Sequence, residues 1–385
     1  MLMASGRRDV LIVGAGPAGL LLAGDLAAAG VPVTVLERRE RESGLSRAFA
    51  VHARTLEMLD ARGLAGELIS TGQKLDRLGL FETVSIDLSR RPARFPFLLI
   101  TAQYHTERLL EQRARALGAR IIGGHEVAGV RQDAGGVDVD VRSGHGTHTR
   151  RASFVVGADG ARSTVRCALG LPFPGGSVMG SMMLTDVRLS RRPQDILQVN
   201  AVKAGFACVV PFGDGWYRVI AWNRQRQVAD TEPADLDEIR HVTRRALGSD
   251  FGMHDARWMS RLRNDERQVP RYRSGRVFLV GDAAHVHSPA GCQGMNTGLQ
   301  DAANLGWKLA AVALGWADAR LLDSYHAERY PAGRFVAHMS HGLLSLALLE
   351  CRSLPRSPAL LRAVTVHVRP VADRAALAVA GLGIG

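Results

Sequence analysis

The sequence predicts an α/β fold in which an open parallel sheet carries an inserted antiparallel β-sheet and leads into a helical C-terminal tail. Three observations predict it. A glycine-rich turn, GAGPAG at Gly14 to Gly19, stands between a short apolar strand and an apolar helix. Two further apolar strands run into turns that carry glycine and aspartate, GADG at Gly157 to Gly160 and GD at Gly281–Asp282. Between those two turns, from about Pro172 to Arg267, short runs alternate in the manner of strands.

The first element is DVLIV, Asp9 to Val13, a buried strand by composition. It enters Gly14-Ala-Gly16-Pro-Ala-Gly19, then the helical run LLLAGDLAAAG, then a second strand, VPVTVLE, ending at Glu37. Strand, glycine turn, helix and strand, with an acid about 20 positions on, is the layout of a dinucleotide site. Gly14 permits the tight turn, Gly16 lets the backbone approach a pyrophosphate, and Gly19 lets helix and strand pack closely. The helix N-terminus turns its positive dipole end to the phosphates. Glu37 is placed for ribose hydroxyls, and its charge disfavours a 2′-phosphate, so the dinucleotide held here is FAD or NAD and not NADP.

The next element, SFVVGADGARSTVR from Ser153 to Arg166, is an apolar strand broken at Gly157, followed by Asp159-Gly160 and a polar turn with Arg162 and Arg166. In outline it is a phosphate-side motif; taken alone, an Asp-Gly turn with a solvated arginine fits equally well. The third apolar strand, Arg276 to Val280, opens into GDAAHVHSPAGCQGMN, which packs Asp282, His285, His287 and Cys292 into sixteen residues. These are zinc-ligand types, and in an extended chain the two histidines point the same way. Equally, Asp282 lies at a strand's carboxyl end, where ligands bind in open α/β sheets. The following run, TGLQDAANLGWKLAAVALG, has an apolar helical face at Leu299, Ala302, Ala303, Leu305 and Leu309, which puts Gly294, Met295 and Asn296 at a helix start.

The inserted segment reads VMGSMMLTDVRL, ILQVNAV, GFACVVPF and WYRVIAW, with a Gly-Asp-Gly turn at Gly213 to Gly215. This is an antiparallel sheet, one face of which is free to roof a pocket; burial of a second core accounts for the same residues. Residues 85 to 100 are expected to add a further pair of strands to it.

Composition sets the outer bounds. At 385 residues, with 46% hydrophobic and 22% charged, this is an ordinary globular protein of two or more domains. The net charge is +12, yet Lys74, Lys203 and Lys308 are the only lysines and no dense basic run interleaved with aromatics occurs, which excludes a nucleic-acid footprint. Cys167, Cys208, Cys292 and Cys351 are far apart and form no CxxC pair, so neither a disulfide framework nor a zinc knuckle is expected, and a reducing cytoplasm is the expected location. The apolar N-terminal run carries Asp25, Pro17 and several glycines, and GLLSLALLE is too short to span a bilayer; no membrane partner is expected.

The order GxGxxG with Glu37, then GADG, then GD resembles the FAD-dependent aromatic hydroxylases, from about residue 8 to residue 335. The phrases SRAFAVHARTLEML, GADGARSTVR and GDAAHVHSPAGCQGMNTGLQDAANLGWKLA are most similar to actinomycete aromatic polyketide hydroxylases. The resemblance implies a discontinuous FAD-binding domain (1–80, 101–171 and 268–335), a substrate-binding sheet (81–100 and 172–267), and a helical tail over 336–385 without the thioredoxin-like third domain of larger relatives. It implies that Gly14, Gly16, Pro17, Ala18, Gly19, Glu37 and Arg38 hold the AMP half of FAD and that Arg47 lies near the phosphates. Gln103 would contact the flavin or ribityl side, Asp282 the ribityl or phosphate side, and Pro289, Gly294, Met295 and Asn296 the isoalloxazine. Asp159 and Arg162 belong to the motif associated with both the FAD pyrophosphate and NAD(P)H, and Pro289, Ala290, Gly291 and Cys292 face the substrate.

The implied chemistry is reduction of FAD by NADPH or NADH, formation of a flavin C4a-hydroperoxide with O2, and hydroxylation of an aromatic polyketide. Baeyer–Villiger or epoxidising chemistry on the same scaffold, and a flavin-binding partner that no longer oxygenates, remain open, as does a monomeric or dimeric state. No side chain is assigned as a catalytic acid or base, because the flavin carries the chemistry. A bound flavin also accounts for the small, glycine-rich loop, whereas zinc requires four directed ligands and a second shell that the sequence does not offer. No metal is therefore expected, and His285 and His287 are expected to bond the loop backbone. Cys292 departs from the glycine common in the family; a tolerated small residue is expected, with a low-pKa thiol at the helix start as the alternative.

Overall fold

The computed structural model describes residues 8–40, 48–80, 84–89 and 93–350. A six-stranded sheet runs in the order Arg273–Ser274, Val277–Leu279, Phe154–Gly157, Val10–Val13, Val33–Leu36 and Arg120–Ile122. All of its pairings are parallel except that of the Arg273–Ser274 edge. The central strands are buried on both faces, which is why VLIV and FVVG are continuously apolar. Helices Pro17–Ala28, Gln103–Ala116 and Gln293–Ala313 pack on this sheet or on each other, and Leu20, Leu22, Leu26, Leu305 and Leu309 share one core with its strands.

A second six-stranded sheet runs in the order Gln198–Val202, Gly205–Pro211, Tyr217–Asn223, Gly175–Leu189, Met253–Gln268 and His285–Val286, every pair antiparallel. Its last strand is part of the GD segment: Arg267 and Gln268 pair with Val286 and His285, so the loop that follows the parallel sheet doubles as the edge of the antiparallel one. Period-two alternation divides its residues between two cores. Met183, Val187, Val209, Val219 and Ala221 face helix Leu236–Leu247 through Ile239 and Val242. That helix has clear ends: Asp235 caps it by accepting from the Asp237 and Glu238 backbone N–H groups, and Gly248 closes it at φ 75°. The opposite row, Met182, Leu184, Phe206, Ile220 and Trp222, packs towards Phe49, Ile100 and Ala102, with Ala290 and Cys292 of the GD loop against it.

On that second face lies a buried ion pair. Arg218 is bidentate to Asp186 on the neighbouring strand at 2.6 and 3.2 Å, and the Trp258 indole N–H also donates to Asp186, at 2.7 Å. Both charged side chains are essentially inaccessible to water.

The segment from 85 to 100 does not join this sheet. Val84–Asp87 forms a hairpin with Arg77–Leu80, and Leu98–Ile100 is the centre of a separate three-stranded sheet between Ala50–Val51 and Gln73–Leu75. The reason is reach: Leu98–Ile100 runs within three residues into helix Gln103–Ala116, and Thr101 N–H donates to Phe49 O, which fixes the strand beside Ala50. A three-stranded meander, Glu126–Gln132, Val137–Ser143 and Gly146–Ala152, precedes the GADG strand and was not anticipated from the sequence. Helix Asp323–Glu350 runs unbroken through position 336; residues 351–385 of the expected tail lie outside the described residues.

Replacing Asp186 by alanine strips the Arg218 guanidinium of its carboxylate in a buried setting. A loss of about 3–5 kcal/mol in denaturant-measured stability is expected; a loss under about 1 kcal/mol would show that the pair is not buried as described.

Candidate active site

The first motif is shaped by contact between backbones. Gly14 has φ 104°, and a Cβ there would lie 2.4 Å from Ala158 O in the GADG turn. A Cβ on Gly19 would lie 2.2 Å from Gly14 O and 3.2 Å from Ala158 Cβ, whereas one on Gly16 would meet nothing within 4 Å. Gly14 and Gly19 are therefore the packing positions, and Gly16 presents an open face. Helix Pro17–Ala28 starts there with proline in its first turn and no side-chain cap, leaving its N-terminal dipole end to be satisfied from outside. Glu37, just past strand Val33–Leu36, accepts from Ala15 N–H at 2.8 Å and from Arg39 N–H and Nε at 3.0 and 2.9 Å. Burial pushes its pKa upward, but the hydrogen bonds from Arg39 and Ala15 outweigh this and hold it below the usual carboxylate range. Arg38 is exposed, and Arg47 lies outside the described residues.

The GADG turn points inward. Asp159 Oδ2 accepts from Val165 N–H at 3.1 Å, in the first turn of helix Thr164–Ala168, and burial raises its pKa. Arg162 is exposed. Its neighbour Arg166 is a strap: it is buried, lies 3.9 Å over the Phe173 ring, and donates to Ala161 O at 2.7 Å and to Ala283 O of the GD segment at 3.1 Å.

The GD segment closes the junction. Gly281 has φ 58°; a Cβ there would be 3.6 Å from both Ala18 Cβ and Gly298 Cα, and one on Gly298 would be 3.1 Å from Gly281 Cα. Asp282 is exposed at the rim. Beneath it lies Asp301, which has no solvent exposure: it accepts from Gly281 N–H at 3.2 Å, from His285 Nε2 at 2.6 Å and from Arg329 Nε at 2.7 Å. Burial would raise its pKa; His285 and Arg329 overcome this and lower it.

Helix Gln293–Ala313 opens at the same place, with Gly291 and the N-cap Cys292 both left-handed at φ 80° and 55° and no side-chain cap. The Asn296 side chain turns inward: Oδ1 accepts from His52 N–H at 2.9 Å, and Nδ2 donates to Ala50 O and Cys292 O at 3.0 and 2.8 Å. It braces the helix start, leaving half-buried Gly294 and Met295 on the first turn. Pro289, Ala290 and Gly291 are half-buried, and Gln103, at the start of its helix, accepts from Ala48 N–H at 2.9 Å and donates to Glu107 at 2.8 Å.

Two expectations need correction. His287 Nδ1 does sit 3.3 Å from the loop carbonyl of Ser288, but His285 bonds the Asp301 carboxylate, its ring parallel to that of His287 at 6.1 Å. The low-pKa alternative for Cys292 fails, because burial pushes its thiol well up. Among the described residues no group of three or more His, Cys, Asp or Glu side chains is arranged to hold a metal ion. Asp301, Arg329 and His52 were not singled out from the sequence, and Arg166 was read only as part of a polar turn; the one available signal was an aspartate inside the apolar run of helix Gln293–Ala313.

Two uncapped helix starts, an open glycine face and an exposed carboxylate thus meet at the carboxyl edge of a parallel sheet. This cradle fits FAD, whose pyrophosphate suits helix N-termini and whose planar ring suits a small-residue loop. The family described as FAD binding domain matches residues 7–340. The chain belongs to this family of flavoproteins. It is 40% identical over 347 residues to a rifampicin monooxygenase of Streptomyces venezuelae, covering 89% of this chain and 72% of the relative. It is 43% identical over 339 residues to the 12-dehydrotetracycline 5-monooxygenase/anhydrotetracycline 6-monooxygenase of Streptomyces rimosus, covering 84% and 67%. Among solved structures it resembles CabE, an aromatic hydroxylase from angucycline biosynthesis, with TM-score 0.84 and 37% identity over 98% of this chain and 77% of that one. It is an FAD-dependent monooxygenase that uses NAD(P)H and O2. Among the described residues no helix is long and apolar enough to cross a membrane.

Cys292→Gly relieves a left-handed side chain at the cost of backbone freedom, so a stability change within about 1 kcal/mol is expected, with turnover retained. Complete inactivation would show that the thiol participates. A pH effect follows from His52 and His287, which burial lowers from 6.5 to about 4, His287 also feeling His285. The unfolded chain takes up these protons first as pH falls, so stability is full above about 6.5 and drains towards 4. The urea midpoint should drop between pH 7 and pH 5, less steeply in His52→Phe; equal slopes in the two proteins would contradict the assignment.

Proposed function

We propose that this flavoprotein hydroxylates an aromatic polyketide held between the antiparallel sheet and the GD loop. The observation that carries the reading is the inner row Met182, Leu184, Phe206, Ile220 and Trp222, which gathers with Ala290 and Cys292 in one apolar cluster. Such a wall suits a flat, multi-ring substrate. The relatives whose names specify tetracycline intermediates or angucycline biosynthesis support the same substrate class.

In this reading the FAD-binding part is 1–80, 101–171 and 268–335, the substrate sheet is 172–267 without the 85–100 segment, and a reducing cytoplasm suits the free thiols. Gly14, Gly16, Pro17, Ala18 and Gly19 with Glu37 and Arg38 hold the AMP half, Arg47 the phosphates, Gln103 the flavin or ribityl side, and Asp282 the ribityl or phosphate side. Asp159 and Arg162, on the GADG turn, serve the FAD pyrophosphate and the NAD(P)H side. Bound FAD supplies oxygen activation; the residues supply placement. The backbone N–H groups and dipole at Gly294, Met295 and Asn296 favour negative charge at the flavin's pyrimidine edge. Pro289, Ala290, Gly291 and Cys292 leave room for a ring to approach, and the apolar wall excludes water from the reacting pair.

The direct test is product mass under ¹⁸O₂ with NADPH and a panel of tetracyclic and angular aromatic polyketides. One labelled oxygen in a hydroxylated ring is expected; NADPH oxidation with peroxide as the sole product across the panel would overturn the substrate class. Asp282→Ala should purify without FAD, and unchanged flavin occupancy would remove Asp282 from the site.

A further inference from the structure

The antiparallel sheet ends, beside the start of helix Gln103–Ala116, in a turn whose Trp216 is covered by two guanidinium groups. Arg257 lies 3.9 Å and Arg188 5.1 Å from the indole centroid. The turn is rigid: Asp214 accepts from Trp216 N–H at 3.1 Å, Trp216 O accepts from Phe212 N–H at 2.9 Å, and Gly213 and Gly215 are left-handed. Tyr104, next to Gln103, reaches Asp214 from the helix at 3.4 Å. Trp216 and Tyr104 are both half-buried against the inner-face cluster, so the turn stands at the rim of the proposed pocket.

On a surface rich in arginine, most guanidinium groups near a carboxylate form ion pairs, such as Arg39, Arg115, Arg151 and Arg244. Arg188 and Arg257 are exposed, and among the described residues neither has a carboxylate within ion-pair distance. Held by an aromatic face instead, they keep their charge; Arg188 keeps its planar donor fork available, while Arg257 shares its own with the Tyr104 hydroxyl. That combination suits phosphate groups. A phosphorylated pyridine dinucleotide needs such a place, since the glycine loop ends on the Glu37 carboxylate, which repels a 2′-phosphate.

We propose that Arg188, Trp216 and Arg257 form the landing site for the phosphates of the pyridine dinucleotide that reduces FAD. Arg188 and Arg257 bind the phosphates, Trp216 gives both guanidinium groups an aromatic face, and Tyr104 and Asp214 fix the turn.

The test uses the FAD-loaded enzyme. Calorimetry with the redox-inert 2′-phospho-ADP-ribose and anaerobic flavin reduction by NADPH are compared between the parent and Arg188→Ala/Arg257→Ala. Expected are a rise in dissociation constant of about tenfold or more for both probes, a shallower salt dependence, an unchanged limiting reduction rate at saturating NADPH, and partial rescue by the paired lysine substitutions. FAD occupancy and melting temperature should match the parent, since both side chains are exposed. Unchanged affinity for both probes overturns the proposal. So does weakened binding of anhydrotetracycline with nucleotide affinity intact, which would assign the patch to the aromatic substrate.

Discussion

The site depends on main chain meeting main chain with no side chain between. Gly14 lies under Ala158 O, Gly19 under Gly14 O, and Gly281 against Gly298 and Ala18. These contacts draw three strand ends and two helix starts to one point. Interiors at this density do not yield by ångströms, so a methyl group at Gly14 or Gly19 must displace a strand end. The glycines are needed because of their neighbours, and only Gly16 is left open for a ligand.

Charge is used to lock this junction. Asp301 fixes the Gly281 N–H from below while His285 and Arg329 compensate its burial. Arg166 ties the GADG turn to the GD segment, and Asn296 ties the second helix start to Ala50 and His52. Each is a polar side chain taken out of water with its partners in place, the condition under which burial fixes one arrangement. His285–Val286 then carries the geometry into the antiparallel sheet, so the wall that faces the loop is hydrogen-bonded to the loop itself.

What could be read from the sequence was local. Glycine spacing, apolar strands and the acid at Glu37 lie within one βαβ stretch, and period-two alternation announces an antiparallel sheet without its neighbours. What could not be read depends on residues distant in sequence. Asp301 meets Arg329 and His285 only after folding; Asn296 turns inward because Ala50 and His52 arrive from 246 and 244 residues earlier. Leu98–Ile100 is apolar enough for either sheet, and the helix that follows it decided which. Cys292 looked conspicuous as a thiol, yet its distinctive property is a φ of 55°, which a sequence does not display.

The measurement that tests this account most directly is an equilibrium FAD titration of apoprotein carrying Gly14→Ala. The added methyl group points at the GADG turn, 2.4 Å from Ala158 O and 3.0 Å from Asp159 Cα. The account predicts FAD affinity weakened by at least about tenfold, with the helix-covered core of the antiparallel sheet still folded by hydrogen exchange. Parental affinity in a folded Gly14→Ala protein would contradict it, because the junction would then tolerate what its geometry forbids.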